Sequence, residues 1–208
     1  DDTAATISVT VDGQTTAATN NGDGTWSLAD DTLAALAEGT FDVTVTATDG
    51  VGNIGSDATS GELTVDLTAP TVTVTNLSTN DAQPALGGTV DDTAATISVT
   101  VDGQTTAATN NGDGTWSLAD DTLAALAEGT FDVTVTATDG VGNVGSDATS
   151  GELTVDLTAP TVTITNLSTN DTTPALGGTV DDTAATISVT VDGQTTAATN
   201  NGDGTWSL

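Results

Sequence analysis

The sequence has no lysine, arginine or histidine, and it also lacks cysteine, methionine and tyrosine. These absences remove the imidazole base, the thiolate, the Schiff-base amine and the guanidinium clamp on which most enzymatic chemistry depends. Nucleic acid and anionic membrane surfaces are excluded as partners, because proteins bind their phosphates through lysine and arginine. The 30 acidic residues give the 208-residue chain a formal net charge of −30. We therefore expect cations as small partners, and neither an enzyme nor a small-molecule substrate.

The absence of cysteine leaves the redox compartment open and fits an exposed protein without disulfides. No apolar run reaches the length of a membrane span, so we expect no direct membrane insertion. No signal peptide is visible, but the sequence opens in the middle of a pattern, and we interpret it as a window from a longer array. High acidity with few aromatic residues is also typical of disorder. The sustained strand periodicity described below favours folded domains instead.

Internal repetition dominates what is present. Residues 91–180 repeat residues 1–90 with four differences, and residues 181–208 begin a third copy. A period of 90 residues suits a whole small domain rather than one coil of a solenoid.

We place the boundaries at the segment Asp-Leu-Thr-Ala-Pro-Thr-Val, which occurs at 66–72 and 156–162. Its proline favours an extended backbone before it and cannot donate to a strand ladder. These boundaries predict one complete domain, 66–155, between two partial ones. The first, 1–65, lacks its opening two strands, and the last, 156–208, lacks its closing two.

The complete repeat contains about seven short segments with the alternation of β-strands. They are predicted at 71–75 (A), 84–90 (B), 94–102 (C), 104–109 (C′), around Trp116 (E), 131–138 (F) and 151–155 (G). Residues 120–127 are the one helix-like segment, a short helical turn between E and F that is capped by aspartate and plugs the core with two leucines. This pattern with one buried tryptophan predicts an all-β, two-sheet sandwich.

Several joined motifs resemble a known family. They are Leu-Thr-Ala-Pro at the boundary, Gly-Thr-Trp-Ser-Leu before the helical turn, Glu-Gly-Thr-Phe-Asp-Val-Thr-Val-Thr-Ala-Thr-Asp, and the Gly-Asn that follows. Together they resemble bacterial Ig-like repeats, specifically the tandem extender repeats of giant RTX-type, type I-secreted surface adhesins. The resemblance covers the whole chain. It implies Ig-like Greek-key sandwiches, exposure on the bacterial cell surface, projection of a distal binding domain, and Ca²⁺ at or near the joints.

Elementary chemistry supports a cation at the joints. Calcium takes six to eight oxygen ligands from carboxylates, amides, carbonyls and water, and crowded carboxylates repel one another unless a cation intervenes. A sandwich brings its BC and FG loops to the end where strand A begins, so Asp66, Asp92 and Asp139 are the principal candidates, followed by Asp91 and Asn143. The counterparts in the other copies are Asp156, Asp181, Asp182, Asp1, Asp2, Asp49 and Asn53, with Glu38 and Glu128 in second rank.

The clustered acidic residues also have simpler interpretations. Aspartate, asparagine and glycine are common turn residues, and acidic surfaces keep proteins soluble. No segment has the spacing of an EF-hand loop. We interpret residues 110–113 as a turn, and the three tryptophans as core residues.

Three functions remain open. The first is a mechanical spacer that contacts neighbouring repeats of its own chain and is stiffened by calcium. The second is self-association, lateral or end to end, in an extracellular filament, sheath or cell-surface layer, with strands supplied by a neighbour. The third, a glycosidase with two catalytic carboxylates, is disfavoured because a small repeated sandwich predicts no cleft.

Overall fold

Alternation of valine or isoleucine with threonine builds the middle of each repeat. The computed structural model describes residues 2–57, 59–147 and 149–208, and every regular element in these ranges is a β-strand. Because successive side chains of a strand point to opposite faces, this alternation buries one row and exposes the other. Val99 and Val101 are fully buried, while Thr96 is exposed.

The central repeat, residues 66–155, contains nine strands over its described residues. They are β8 (Leu77–Thr79), β9 (Leu86–Thr89), β10 (Thr96–Val101), β11 (Gln104–Asn110), β12 (Thr115–Leu118), β13 (Gly129–Phe131), β14 (Val133–Thr138), β15 (Val144–Asp147) and β16 (Leu153–Val155). The first repeat, residues 1–65, contains the counterparts of β10–β16. These are β1 (Thr6–Val11), β2 (Gln14–Asn20), β3 (Trp26–Ser27), β4 (Gly39–Phe41), β5 (Val43–Thr48), β6 (Ile54–Asp57) and β7 (Leu63–Val65). The third repeat, residues 156–208, contains β17 (Gly177–Thr179), β18 (Ile187–Val191), β19 (Gln194–Asn200) and β20 (Thr205–Ser207).

The strands of the central repeat pair almost all the way round the domain. β14 lies between β15 and β10, β10 pairs with β11, and the end of β11 continues onto β12, which pairs with β9. On the other side, β16 pairs antiparallel with β13 and parallel with β8. Residues 72–75 hydrogen-bond to β9 and lead directly into β8. The predicted all-β sandwich is confirmed. The first strand links its two sheets, because residues 72–75 bond to β9 and β8 pairs with β16.

Trp116 anchors the core between the two layers. Its side chain is 1 % exposed, and its indole N–H donates a hydrogen bond of 2.8 Å to the carbonyl of Thr73. A Cβ atom at Gly88 would lie 1.9 Å from that same carbonyl oxygen, so only glycine allows this close approach. The predicted core position of Trp116 is therefore confirmed, and the indole binds the first strand to the rest of the domain.

The helical turn predicted at 120–127 is wrong, because these residues form a turn and irregular backbone. Asp121 has a φ angle of +59°, which a right-handed helix does not allow, so the aspartates here are not helix caps. Tertiary hydrogen bonds replace the helical ones: the Gln104 amide bonds to both backbone groups of Ala124, and the Gln83 amide donates to the Leu123 carbonyl. Leu123 is nevertheless buried, as predicted for the end of the core.

Three strand predictions need correction. Strand F is interrupted at Asp132 into β13 and β14, and strand G, found as β16 (Leu153–Val155), is preceded by a strand that the sequence did not predict, β15 (Val144–Asp147). The first strand also continues as β8 beyond residue 75. β14 and β15 belong to one sheet, whereas β13, β16 and β8 form the other.

The partial repeats show what the missing strands cover. Trp26 is 41 % exposed, since no counterpart of residues 72–90 precedes it in this sequence. Trp206 is 4 % exposed, because the counterpart residues 162–180 are present and its indole donates to the Thr163 carbonyl. The domain boundaries at 65/66 and 155/156 stay a prediction.

We predict that Trp116→Ala lowers the free energy of unfolding by about 3–5 kcal/mol, the usual cost of removing a buried tryptophan. The control is Trp26→Ala, where the same side chain is already exposed. The measurement is differential scanning calorimetry of the full chain, because it does not depend on tryptophan fluorescence. Equal shifts in the two variants would contradict the assigned role of Trp116.

Candidate functional site at the joints between repeats

Each joint begins with a tight turn made by its aspartate. The Oδ1 atom of Asp66 accepts the N–H of Thr68 at 3.0 Å, and Asp156 does the same for Thr158 at 3.0 Å. Such turns, in which an aspartate caps the backbone two residues on, are a common use of this residue. The carboxylate that opens the joint therefore sets the direction in which the chain leaves the preceding repeat.

The first joint lies along β15 of the repeat that follows it. The Asn143 amide donates to the Asp66 carbonyl at 3.0 Å, and Asp147 Oδ2 accepts the N–H of Val74 at 2.8 Å. Between them, a Cβ atom on Gly145 would lie 1.7 Å from the Pro70 carbonyl oxygen. Because alternate residues of a strand share one face, these three positions form a continuous seat for the joint.

The third repeat provides a comparison for this seat. Pro70 and Val72 are buried, whereas Pro160 is exposed and Val162 is 57 % exposed. The sequence contains no counterpart of β15 after residue 160. The difference shows that β15 of the following repeat, and not the preceding repeat, covers the proline of the joint.

A glutamate of the preceding repeat holds the other side of each joint. Glu38 Oε2 accepts the hydroxyl of Thr68 at 2.5 Å. In the second joint Glu128 Oε2 accepts the hydroxyl of Thr158 and, at 3.3 Å, the N–H of Leu157. Each joint is thus hydrogen-bonded to the repeat before it, and the first joint is also packed on the repeat after it.

The loops predicted to meet at the start of the first strand do meet there. Asp91 Oδ1 accepts the N–H of Thr71 at 2.7 Å, and this hydrogen bond lowers the pKa of Asp91. Asp139 lies in the FG loop, which also contains Asn143. Partial burial raises the pKa of Asp139, but hydrogen bonds from the Asn143 side chain and from the backbone N–H groups of 141–143 outweigh it, so the pKa lies below its ordinary value.

The structure separates the remaining candidate ligands into three groups. Glu128, Asp156, Asp181 and Asp182 line one open cavity of about 300 Å³ at the second joint. Asp2, Asp49 and Asn53 line another, of about 340 Å³, beside Trp26. Asp92 caps the N–H of Ala94 at 2.8 Å, and Asp1 lies outside the described residues. The role of these residues as metal ligands stays a prediction.

The second joint brings together carboxylates from two repeats, and carboxylate oxygens are among the ligands that calcium takes. Within ranges 2–57, 59–147 and 149–208, no three acidic side chains converge closely enough to hold a metal ion. The same ranges contain no helix that could span a membrane.

Sequence reasoning missed the seat on β15 and the threonines of the joints. The signal was present as Asn-x-Gly-x-Asp at 143–147, a period of two that marks one strand face. Asparagine, glycine and aspartate are depleted from strands, so the composition of this stretch favours a loop over a strand.

A family model described as bacterial Ig-like domain matches residues 1–67 and 71–157. Three solved structures are similar to the chain, and each alignment covers 98 % of its residues. One concerns host cell surface retention of a 1.5-MDa bacterial ice-binding adhesin, with 25 % identity, 74 % of that chain covered and a TM-score of 0.44. The second is a Ca²⁺-stabilized adhesin that helps an Antarctic bacterium bind ice, with 27 % identity, 56 % covered and a TM-score of 0.40.

The third structure is a tetra-tandem repeat from the extending region of a large adhesion protein, with 30 % identity, 57 % of that chain covered and a TM-score of 0.39. The present chain therefore spans little more than half of the second and third structures. No curated protein matches the sequence.

We predict that Gly145→Ala lowers the free energy of unfolding by about 1–3 kcal/mol, because its Cβ collides with the Pro70 carbonyl and must displace the joint. The matched control is Gly55→Ala in the first repeat, where nothing lies within 4 Å of the added atom. Calorimetry measures the stability. Hydrogen exchange of residues 66–74 measures the joint, and it should become faster only in the Gly145 variant. Equal behaviour of the two variants would refute the seat.

We expect the stability of the protein to fall in acid, because a carboxylate at the first joint is hydrogen-bonded in its ionised form. Partial burial raises the pKa of Asp147, but the N–H groups of Val74 and Thr149 lower it below the ordinary value of 3.8. A carboxylate with a lowered pKa in the folded state contributes stability above its unfolded pKa, and this contribution is lost as the pH falls through the folded value.

The melting temperature in about 0.15 M salt, which screens general repulsion, should therefore stay level at neutral pH and drop below about pH 4. Asp147→Asn should flatten the drop, and Asp57→Asn, the exposed counterpart in the first repeat, should not. A melting temperature that rises steadily down to about pH 3 would show that general repulsion outweighs these hydrogen bonds.

Proposed function

The chain belongs to the bacterial Ig-like domain family, and from that premise we propose that its repeats are the spacers of a bacterial surface adhesin. In this role they form part of an extracellular stalk that projects a distal binding domain away from the cell. Repetition supplies length. A strand of eight or nine residues rises roughly 30 Å, so each repeat would extend the stalk by about 35–45 Å.

The observation that carries this proposal is the two-sided attachment of the joint. The Thr68 hydroxyl is bonded to Glu38 of the preceding repeat, and the Asp66 carbonyl is bonded to Asn143 of the following one. A flexible linker would leave such groups to solvent. A joint held on both sides transmits orientation from one repeat to the next, which is what a stalk requires.

Self-association in a filament or surface layer is the alternative, and the outer edge of β11 is where a strand could be added. A strand can be added to a sheet only where a row of backbone groups is unpaired. In the central repeat, residues 72–75 cover β9, whereas β11 pairs along 104–108 with β10 on one side and meets β12 at its end. Assembly of complete repeats by strand addition would then have to use this edge of β11.

We also propose that the chain is not an enzyme. Catalysis by two carboxylates needs groups that are free to exchange protons with a substrate. Here the aspartates near the joint accept hydrogen bonds from backbone N–H groups, as Asp91 does from Thr71 and Asp139 from residues 141–143. These carboxylates hold loops in place.

Calcium at the joints is the finer part of the proposal. In the second joint the ion would be held by residues of the 300 Å³ cavity, namely Glu128, Asp156, Asp181 and Asp182. When bound, it would supply positive charge to a chain that has none in its side chains. Neutralising carboxylates of two adjacent repeats would tighten the joint, because repulsion between them would cease.

The test is small-angle X-ray scattering of the full chain in calcium and in chelator. We expect a longer, straighter particle and a higher melting temperature in calcium. Glu128→Gln keeps an acceptor for Thr158 but removes the charge, and it should reduce the calcium effect. Asp102→Asn, at the exposed β10–β11 turn, is the control. Identical scattering curves with and without calcium would contradict the stiffening, and a compact or multimeric particle would contradict the spacer.

A further inference from the structure

The first and the last strand of the central repeat lie side by side and run in the same direction. β8, the end of the first strand, pairs in parallel with β16 along its whole length. Two hydrogen bonds complete this ladder at its ends: the N–H of Leu77 donates to the Glu152 carbonyl at 2.7 Å, and the N–H of Asp156 donates to the Thr79 carbonyl at 2.9 Å. Since the chain enters the repeat through the joint before β8 and leaves it through the joint after β16, this pair connects the two joints directly.

β8 is a strand only where β16 is present to pair with it. The third repeat has the same Leu-Ser-Thr sequence at 167–169, but these described residues form no strand and Leu167 is 53 % exposed. In the first repeat, β7 pairs with β4 alone. The sequence supplies no counterpart of β16 to the third repeat and no counterpart of β8 to the first. Within residues 2–57, 59–147 and 149–208, the parallel pair therefore occurs once.

β8 also shields β16 from water. Leu153 and Val155 are fully buried, whereas their counterparts Leu63 and Val65 in the first repeat are half-buried. Glu152 is 3 % exposed, and its Oε1 atom is buried without a hydrogen-bond partner among the described residues. Hydrogen bonds that water cannot reach are stronger, and no water molecule can replace them one at a time as they stretch.

β16 is fixed to the rest of the repeat on its other side. It pairs antiparallel with β13, and Glu152 Oε2 accepts the N–H of Val133 at 3.0 Å, where strand F is interrupted. Asp132 Oδ1 accepts the N–H of Gly151 at 2.9 Å, just before β16. The first strand is held in turn by the seat on β15 and by the Trp116 indole. Both strands are thus anchored, and tension on one of them reaches the other through their shared ladder.

Tension along a stalk pulls on the two joints of a repeat in opposite directions. It reaches β8 from its N-terminal end and β16 from its C-terminal end. In a parallel pair these are opposite ends of the ladder, so the strands are sheared past each other and all their hydrogen bonds resist together. An antiparallel pair would be pulled at one end, and its hydrogen bonds would break one after another.

We propose that the pair of β8 and β16 is a mechanical clamp, which carries the tension across each complete repeat and sets the force at which that repeat unfolds. The tension itself comes from the proposed spacer role, so the inference rests on that function and deepens it. Forced unfolding is governed by the barrier to unfolding and not by the equilibrium stability of the whole core. Resistance to force and resistance to heat should therefore respond to different substitutions.

The experiment pulls on the full chain with optical tweezers along two directions. Because the protein has no cysteine, engineered cysteines can serve as unique attachment points at exposed side chains. Leu67→Cys with Leu157→Cys loads the ladder from opposite ends, whereas Asn80→Cys with Leu157→Cys loads it from one end. We expect a several-fold higher unfolding force for the first pair, with a lengthening of roughly 250–300 Å, since an extended residue spans about 3.3–3.6 Å and the folded repeat about 40 Å. Equal forces in the two directions would overturn the proposal.

Substitutions in β8, pulled through the first attachment pair, test the ladder itself. Leu77→Pro removes the N–H that donates to Glu152, and Ser78→Pro is the matched control, because alternation along the strand directs the N–H of Ser78 away from β16. Leu77→Ala removes the side chain but keeps the N–H. We expect only Leu77→Pro to lower the unfolding force, by about half, because proline cannot donate one of the two bonds that complete the ladder. An equal loss in Leu77→Pro and in either control would contradict the clamp.

Thermal stability gives the comparison with an ordinary core variant. Val99→Ala leaves a cavity beside β10, outside the clamp, so it should lower the melting temperature and leave the unfolding force nearly unchanged. An unfolding force that follows the melting temperature through all the variants would show that no clamp exists. Should Leu77→Pro fail to fold, the two pulling directions alone decide the matter. They also separate this proposal from the spacer, because a compact particle in scattering would refute the stalk, while direction-dependent forces would still establish the clamp.

Discussion

Hydrogen bonds from backbone N–H groups to carboxylates hold this protein together in places where other proteins use carbonyl groups or ion pairs. Without any cationic side chain, an aspartate or glutamate can be satisfied only by N–H groups, hydroxyls, water or ions from solution. Hydrogen bonds to a charged acceptor are stronger than neutral ones. Asp147 fastens the first strand, Glu152 bridges the break in strand F, and Asp91 ties a loop to the start of the domain.

The same constraint links the domain to the array. The joint is positioned by Asp66 within its own turn, by Glu38 from the repeat before it and by Asn143 from the repeat after it. A segment of a few residues with this many anchors has little freedom to swivel. Because the repeats are near-identical in sequence, one local geometry would recur at the joints between complete repeats and would set the course of the proposed stalk.

How far the sequence predicted the structure depended on whether a residue's partners were close in the chain. Strands C and F could be predicted from the alternation of apolar and polar residues, and the core position of Trp116 from its being the one tryptophan of the repeat. The segment 120–127 is helix-like in sequence because an aspartate stands where a helix cap would lie. Gln83 and Gln104, distant in sequence, instead bond to its backbone, and a positive φ at Asp121 breaks the turn. Asp91 and Asn143 do contact the joint, but convergence of the candidate ligands on an ion cannot be read from spacing.

By itself the sequence determined the repeat length, the all-β class, the family and the excess of negative charge, because these depend on composition and short-range periodicity. The tertiary structure alone decided which of two identical glutamates is buried. Glu62 and Glu152 have the same neighbours in sequence, yet only Glu152 is covered by β8, a strand that lies some seventy residues earlier in the chain. Burial is a property of what packs against a residue, and an unpaired charge becomes consequential only once packing has removed it from water.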